Sequence, residues 1–194
     1  MALRGSRMAR AFLACCGWRV SGEGLPGLQG LVVAYPHTSS WDFVMLVLAR
    51  WALGLPAKFW GKDSLFAVPL LGAWLRWMGG VPVNRDAPRG VVGEMARVLE
   101  QNRSRQSFFW LALAPEGTRK LTAGWRSGFY QLALAAKVPV GVCSLNYARK
   151  TIELENFFLL SGDVQTDMQR IALVLQSAAA KHPELAAPIR LIEK

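Results

Sequence analysis

The sequence predicts an α/β fold, a single domain over residues 1–194 with a mostly parallel central sheet flanked by helices. Two observations carry this prediction. Short apolar stretches typical of buried strands alternate with longer segments of helical periodicity. No repeat, low-complexity tract or linker divides the 194 residues, a length that suffices for one hydrophobic core. In such a fold, functional turns gather at the carboxyl ends of the strands.

The first half of the chain places strands and helices around a histidine-containing turn. An apolar run before this turn is typical of a buried strand, and the segment after it is apolar on nearly all sides, as in a buried or membrane-facing helix. The predicted elements are strand 31–34, helix 43–51, strand 57–60, helix 64–77 with Pro69 near its first turn, and strand 81–84.

The second half begins with a clearer amphipathic helix, which Pro88 suits at its first turn. The spacing of Thr166 and Gln169 fits a capping box at the start of the last helix. The predicted elements are helix 88–100, strand 107–114, helix 127–136, strands 138–145 and 151–154, and a final helix from residue 166.

The charge balance indicates an anionic partner. The formal net charge is +10 and 52% of the residues are hydrophobic. Nucleic acid, a phosphate-bearing substrate and an anionic membrane surface all fit this charge. Eight Trp residues, a type common at membrane interfaces, favour the membrane surface, although each single Trp also fits a buried core. No motif for nucleic-acid binding is present, so nucleic acid is not expected as a partner.

The N-terminal segment 1–27 is basic and short. Arg4, Arg7 and Arg10 precede an apolar stretch, but no small-residue cleavage site follows, which argues against a signal peptide. Two interpretations remain, a helix resting on a membrane surface and a frayed end. No run reaches the roughly 20 apolar residues of a membrane span. The expected location is the cytoplasmic face of a membrane, with peripheral or monotopic attachment.

The cysteines indicate a reducing compartment. Cys15 and Cys16 are adjacent, and Cys143 lies in an apolar strand pattern. Their spacing gives neither a disulfide framework nor a zinc site.

The first candidate motif is a turn that holds His37 and Asp42. The imidazole of a histidine has a free pKa of about 6.5 and can take up a proton near neutral pH. A turn before the helix allows the Asp42 carboxylate to orient that ring. The alternative is that Asp42, or Ser39 and Ser40, caps the helix. The other histidine, His182, lies among polar residues and is predicted to be solvated.

The second candidate motif is the turn at residues 115–119, which follows a predicted strand. Gly117 permits close backbone approach, Thr118 offers a hydroxyl, and Arg119 can grip a phosphate with two hydrogen bonds. Arg85 ends another predicted strand and fits the same phosphate clamp, while Lys120 and Arg126 add positive charge.

Four blocks in order resemble the glycerophospholipid acyltransferase family, typified by 1-acylglycerol-3-phosphate acyltransferases. The His-x-x-x-x-Asp block matches His37 and Asp42, and the Pro-Glu-Gly-Thr-Arg block matches residues 115–119. Residues 80–85 resemble the block that ends in Arg, and residues 138–140 resemble the fourth block. The resemblance covers about residues 30–145 and implies the α/β fold of glycerol-phosphate acyltransferases.

The resemblance implies that His37 is a general base on an acceptor hydroxyl and that Asp42 orients it. The hydroxyl would attack the thioester of acyl-CoA or acyl-carrier protein, the co-substrate, with no metal and no redox cofactor. The acceptor is a lysophospholipid, with lysophosphatidic acid as the family default and another lysolipid or a lyso-ornithine lipid as alternatives. The apolar helices within 43–77 would line an acyl channel and dock on a bilayer. The residues expected to bind the acceptor's phosphate region are Arg85, Glu116, Gly117, Thr118 and Arg119.

Two other classes of function stay open. In a lipid hydrolase, Ser39 or Ser40 would be the nucleophile, although the chain has no Gly-x-Ser-x-Gly elbow. A non-catalytic protein that binds anionic lipid would tolerate loss of His37 but not of several Arg or Lys residues.

Overall fold

The computed structural model describes residues 4–83 and 88–192, including all of their side chains except those of Pro88 and Arg89. The segments in chain order are helix α1 (Arg7–Cys15), strands β1 (Arg19–Gly22) and β2 (Gln29–Tyr35), helix α2 (Ser40–Leu53), strand β3 (Lys58–Lys62), helices α3 (Asp63–Phe66) and α4 (Pro69–Trp77), strand β4 (Gly80–Val83), helix α5 (Pro88–Ser104), strand β5 (Phe109–Leu113), helix α6 (Gly128–Ala136), strands β6 (Val140–Asn146) and β7 (Thr151–Phe158), and helix α7 (Val164–Val174).

The strands form one seven-stranded sheet in the order β1-β7-β6-β2-β5-β3-β4. All neighbouring pairs are parallel except β6 and β7, which are antiparallel. The predicted α/β fold with a mostly parallel sheet is therefore confirmed. Because β2 lies between β5 and β6, the turns that follow these three strands meet at one edge of the sheet.

Helices cover both faces of the sheet, as the alternation of buried residues along β2 requires. Leu31 and Val33 belong to the core under α5, α6 and α7, whereas Val32 and Ala34 belong to the core under α1 and α2. A small third core of Phe66, Leu75 and Met78 joins α3 and α4 to the side of α2.

The continuous helix predicted over residues 64–77 is wrong, because the structure divides it into α3 and α4. Val68 has φ −75° and ψ 119°, which is extended backbone, and Pro69 begins α4. The proline ring clashes with a helical conformation of the residue before it, so the chain leaves the helix at Val68 and starts a new one.

Helix α7 and strand β1 also differ from the predictions. Helix α7 begins at Val164, because the Asp163 carboxylate accepts hydrogen bonds from the backbone N–H groups of Gln165 and Thr166. Thr166 therefore lies inside the helix. Strand β1 was not predicted, since its four residues are mostly exposed and lack an apolar pattern.

The basic N-terminal segment contains helix α1, whose Ala9 and Leu13 are buried against the core under α2. Across residues 4–83 and 88–192, no helix combines the length and the apolar content that a bilayer span requires.

Candidate active site

The two candidate motifs, 79 residues apart in sequence, lie side by side in the structure. His37 follows β2 and precedes α2, while the turn at residues 115–119 follows β5. Strands β2 and β5 are paired in parallel, with Val33 opposite Leu113. Both turns therefore leave the carboxyl edge of the sheet at neighbouring positions, as the alternation of strands and helices predicted.

Asp42 lies buried beneath the His37 turn and connects its backbone to the imidazole. Oδ2 of Asp42 accepts hydrogen bonds from the backbone N–H groups of Thr38 and Ser39, both at 2.7 Å. The same oxygen lies 3.5 Å from Nδ1 of His37. The capping role and the orienting role, which the sequence left as alternatives, are therefore combined in one carboxylate.

The environment of Asp42 keeps its carboxylate ionised. Burial alone would raise the pKa of Asp42, but the neighbouring His37 ring and hydrogen bonds from Tyr147 and Ser39 outweigh it and hold the pKa below its ordinary value. A buried negative charge beside Nδ1 fixes the tautomer of the His37 ring and stabilises its protonated form.

Tyr147 completes the surroundings of Asp42 and was not singled out from the sequence. Its hydroxyl donates to Oδ1 of Asp42 at 2.6 Å. Tyr147 directly follows β6, the strand on the other side of β2. The signal that could have found it is this position, because a turn after β6 reaches the same edge of the sheet as the His37 turn.

Glu116 lies behind the His37 turn rather than on an open surface. Its side chain is buried, and its Oε1 accepts a hydrogen bond from the backbone N–H of His37 at 3.2 Å. Burial raises the pKa of Glu116 to about 7, the nearby Asp42 charge adds to this, and hydrogen bonds from the backbone of His37 and Ala187 oppose it. Glu116 thus ties the β5 turn to the β2 turn.

The remaining residues of the second motif face different partners. Gly117 has φ +69°, and a Cβ atom there would lie 2.8 Å from Cδ of Arg126, so this position favours glycine. The hydroxyl of Thr118 accepts a hydrogen bond from the backbone N–H of Lys120 at 3.3 Å. The exposed guanidinium of Arg119 donates to Oγ of Ser40, at the start of α2.

A mostly apolar cavity of about 420 Å³ opens beside His37. Of the predicted site residues with described side chains, His37 and Gly117 line it, while Asp42, Glu116, Thr118 and Arg119 do not. Arg85 falls outside the described residues. The lining residues are His37, Trp60, Gly61, Val83, Val91, Val92, Leu113, Ala114, Pro115, Gly117, Arg126, Ser127, Gly128, Phe129, Gln131 and Ile192.

A C-terminal strap, residues 178–192, runs across the carboxyl edge of the sheet. The backbone N–H of His182 donates to Oγ1 of Thr38 at 3.2 Å, while the His182 side chain is exposed, as predicted. The hydroxyl of Tyr35 donates to the carbonyl of Ala187 at 2.9 Å. The strap lacks helical or strand periodicity, so the sequence did not predict its packing against the site.

The arrangement has the parts of a general base. A partly exposed imidazole lines an apolar cavity, its Nδ1 faces a buried carboxylate, and its backbone is fixed by a second acid. The Nδ1–Oδ2 distance of 3.5 Å is longer than a good hydrogen bond, as is common for catalytic pairs before substrate binds. Such a pair can accept a proton from a hydroxyl group and pass it to a leaving group.

Comparison with known proteins gives the class to which this fold and site belong. The family model Acyltransferase matches residues 17–145, about two thirds of the chain. The chain therefore belongs to the Acyltransferase family, as the four sequence blocks indicated.

Named relatives agree with this assignment. The chain is 28% identical over 147 residues to a chloroplast 1-acyl-sn-glycerol-3-phosphate acyltransferase of Brassica napus, covering 74% of this chain and 42% of that protein. It is 29% identical over 160 residues to the 1-acyl-sn-glycerol-3-phosphate acyltransferase of Escherichia coli (strain K12), covering 80% and 62%. The chain thus spans about two fifths to three fifths of the length of these two relatives.

A solved structure shares the fold. The crystal structure of the 1-acyl-sn-glycerophosphate acyltransferase PlsC from Thermotoga maritima aligns with a TM-score of 0.53 and 18% identity. The alignment covers 87% of this chain and 73% of that one, which supports the fold predicted for the whole α/β sheet.

Proposed function

We propose that this chain is an O-acyltransferase that moves a fatty acyl group from a thioester donor to a hydroxyl of a lysophospholipid. The first acceptor to consider is 1-acylglycerol-3-phosphate, which would give phosphatidic acid in phospholipid biosynthesis. The observation that carries the proposal is His37, which lines an apolar cavity while its Nδ1 faces the buried Asp42 carboxylate at 3.5 Å. The names of the relatives in Brassica napus and Escherichia coli support the choice of acceptor.

In the proposed reaction, Nε2 of His37 accepts the proton of the acceptor hydroxyl as its oxygen attacks the thioester carbonyl. Collapse of the tetrahedral intermediate breaks the carbon–sulfur bond and forms the ester. The imidazolium returns its proton to the leaving thiolate, so the base is regenerated. Asp42 orients the ring and stabilises its protonated form throughout. This chemistry calls for no metal and no redox cofactor.

In the proposed complex, the cavity binds the acyl chain and the basic side chains bind the phosphate of the acceptor. Apolar groups such as Val91, Val92 and Phe129 suit an acyl chain, and a volume of about 420 Å³ is within the usual range for ligand pockets. Arg126 at the cavity and the exposed Arg119 are candidates for the acceptor's phosphate. The resemblance adds Arg85, and the turn at Gly117 and Thr118 would approach the same group.

Glu116 takes a positioning role in this proposal. A carboxylate would repel a phosphate, and the Glu116 side chain is buried with its Oε1 on the backbone N–H of His37. We therefore assign Glu116 to holding the His37 turn, in place of the phosphate contact that the resemblance implied.

The hydrolase alternative gains less support from the contacts. Ser39 Oγ accepts a hydrogen bond from the backbone N–H of Trp41 as the cap of α2, and Ser40 Oγ accepts from Arg119. Neither contact activates a serine as a nucleophile. The two functions differ in product, because a hydrolase releases free fatty acid and a transferase makes a diacyl lipid.

The test is acyl transfer by purified wild-type protein and by His37→Ala, with acyl-CoA or acyl-carrier protein and a panel of lysolipids. Products are identified by mass spectrometry. Loss of the general base is expected to slow transfer by about 10²–10⁴-fold. His182→Ala is the matched control, because it removes the other imidazole of the chain, which is exposed. A His37→Ala protein as active as wild type would overturn the proposed mechanism.

A further inference from the structure

Helix α4 presents a stripe of large apolar side chains to solvent. Leu70, Trp74 and Trp77 are 88%, 47% and 76% exposed. Their spacing of four and three residues places them on one face of the helix. The opposite face holds Gly72 and Leu75, which are buried. The exposure is therefore built into the helix and is not the result of a frayed end.

The chemistry of this stripe fits a lipid bilayer. Indole rings are amphipathic and favour the level of the headgroups, while leucine favours the acyl region beneath. Within β3, α3 and α4, the exposed basic residues are Lys58, Lys62 and Arg76, against the single exposed acid Asp63. This excess of positive charge complements anionic headgroups.

The stripe is also close to the candidate active site in the fold. The cavity-lining Gly61 lies against the ring of Phe66, since a Cβ there would come within 2.8 Å of that ring. Phe66 packs with Leu75 of α4 in one small core. A bilayer that contacts α4 would thus lie next to the wall of the cavity that we assign to the acyl chain.

We propose that the outer face of α4 docks the protein on an anionic bilayer and brings the cavity to the lipid surface. The reason for docking rests on the proposed function. The binding experiment does not, because it measures attachment to vesicles and not catalysis. The resemblance implied docking by the apolar helices within 43–77 in general, and the exposed stripe narrows the main contact to α4. The basic segment 1–27 suggested the N-terminal helix instead. Helix α1 has its own exposed pair, Met8 and Phe12, which makes it the natural competitor.

The experiment measures binding of the full chain to vesicles of equal parts phosphatidylglycerol and phosphatidylcholine by co-sedimentation. The α4 variant carries Leu70→Ser and Trp77→Ser, the two most exposed positions of the stripe. Each large apolar side chain that enters the bilayer is expected to contribute about tenfold or more, so the pair weakens binding by about a hundredfold. Binding of the wild type also weakens as salt rises or when phosphatidylcholine is used alone.

Two matched pairs of substitutions define the outcome. Leu159→Ser with Leu173→Ser removes two leucines that are 67% and 65% exposed outside α4, and binding is expected to stay at the wild-type level. Met8→Ser with Phe12→Ser makes the same kind of change on α1, the competing surface, and should weaken vesicle binding less than the α4 pair does. The proposal is overturned if the α4 pair binds vesicles like wild type, if the wild type does not bind them, or if the leucine control loses as much binding as the α4 pair. Acyl transfer to a short-chain, water-soluble lysolipid should survive in the α4 pair, which separates docking from catalysis.

A second inference concerns Tyr147, which holds the oxygen of Asp42 that does not face His37. The Tyr147 hydroxyl donates to Oδ1 at 2.6 Å, while Oδ2 accepts from the backbone of Thr38 and Ser39. Hydrogen bonds to both oxygens fix the plane of the carboxylate. Tyr147 is itself held, since its ring packs edge-on to Trp18 with centroids 5.0 Å apart, and its backbone N–H donates to Ala179.

We propose that Tyr147 is a positioning residue that acts on His37 through Asp42. It lies beyond residues 17–145, the part of the chain that matches the family model. In the proposed reaction, loss of its hydroxyl would let the carboxylate turn away from Nδ1 of His37. The rate of transfer should then fall, while binding of the acceptor should not change.

Tyr147→Phe tests this, with Tyr130→Phe as the matched control, because the Tyr130 hydroxyl donates to another buried carboxylate, Asp167, at 2.8 Å. We expect kcat to fall about tenfold to a hundredfold with KM for the acceptor unchanged, the range of one hydrogen bond to a charged group. A kcat equal to wild type, or a change in KM alone, would overturn the proposal.

Nuclear magnetic resonance provides a readout that does not depend on turnover. The chain has only two histidines, so the imidazole resonances of His37 and His182 are readily assigned. Compared with wild type at one fixed pH, the His37 resonances should shift in Tyr147→Phe and remain unchanged in Tyr130→Phe, with His182 as internal reference. Unchanged His37 resonances would overturn the positioning role even if no acyl transfer were found.

Discussion

Two buried acids with different environments organise the candidate site. Asp42 accepts hydrogen bonds from two backbone N–H groups and from Tyr147, and it stays ionised because these contacts outweigh its burial. Glu116 is equally buried but has fewer donors, and its pKa rises to about 7. Burial raises the pKa of both acids, and only Asp42 has enough donors and a neighbouring imidazole to offset it and hold its charge beside His37.

This difference predicts the effect of Glu116→Gln on stability. The pKa of Glu116 rises from 4.5 to about 7 on folding, so between these values the native state binds more protons than the unfolded state. Its contribution to the free energy of unfolding therefore falls as pH rises through this window, by about 3 kcal/mol in all. Glutamine cannot ionise, so the variant lacks this loss.

Urea unfolding at pH 4.5 to 8 measures the prediction. Relative to wild type, the free energy of unfolding of Glu116→Gln should increase by about 3 kcal/mol from pH 4.5 to pH 8. Glu94→Gln provides the matched control, because it makes the same chemical change at an exposed position. Parallel curves for Glu116→Gln would show that burial does not set the proton affinity of this acid.

At the scale of elements, the central strands β2 and β5 depend on one close contact. Gly30 of β2 is opposite Trp110 of β5 in the parallel register. A Cβ at Gly30 would lie 2.3 Å from the indole ring, which is fully buried and donates its N–H to the carbonyl of Gly27 at 3.1 Å. The glycine makes room for the ring that fills the core under α1 and α2.

Gly30→Ala should therefore destabilise the protein by about 3 kcal/mol, at the upper end of overpacking effects. A smaller ring partner relieves the clash, so Gly30→Ala with Trp110→Leu should cost less than the sum of the two single changes, by about 1–3 kcal/mol. Urea unfolding of the four proteins gives this coupling. Gly93→Ala is the control, since a Cβ there meets no atom of the described residues within 4 Å, and alanine in α5 should stabilise by about 1 kcal/mol.

Elements with a strong local pattern could be predicted from the sequence, and those fixed by distant contacts could not. The apolar run at 31–34 and the amphipathic helix from Pro88 carry their own periodicity, so both appear as predicted. Strand β1 is an exposed edge strand that exists because it pairs with β7, more than a hundred residues away. Pro69 is the sequence signal for the break at Val68, but the apolar pattern on both sides of it favours one continuous helix.

The same rule applies to the candidate site. His37 and Asp42 lie within one turn, so their sequence spacing already indicated their contact. Tyr147 and Ala187 reach the site only through the packing of β6 and of the C-terminal strap. Nothing in their local sequence marks them, because their roles come from the partners they meet in the folded chain.

At the scale of the molecule, the C-terminal strap connects elements that are far apart in sequence. Ala179 pairs with the backbone at the end of β6, Ala187 contacts Tyr35 and Glu116, and Leu191 pairs with Trp125 before α6. Ile192 then lines the cavity. The strap thus holds the ends of β2, β5 and β6 together, the three strands whose turns form the candidate site.

A chain that ends at Ala178 should keep its sheet and helices α1–α7 but lose this support. The expected cost is on the order of 3–5 kcal/mol, from the partly buried Ile189 and Leu191 and from the hydrogen bonds left without partners. Acyl transfer should fall further than stability alone explains, because Glu116 loses the Ala187 N–H that helps to hold it against the His37 turn. Urea unfolding and transfer assays measure the two losses. A synthetic peptide of residues 179–194 should restore part of the activity in trans, whereas a truncated chain with wild-type activity would show that strands β2, β5 and β6 fix the site without the strap.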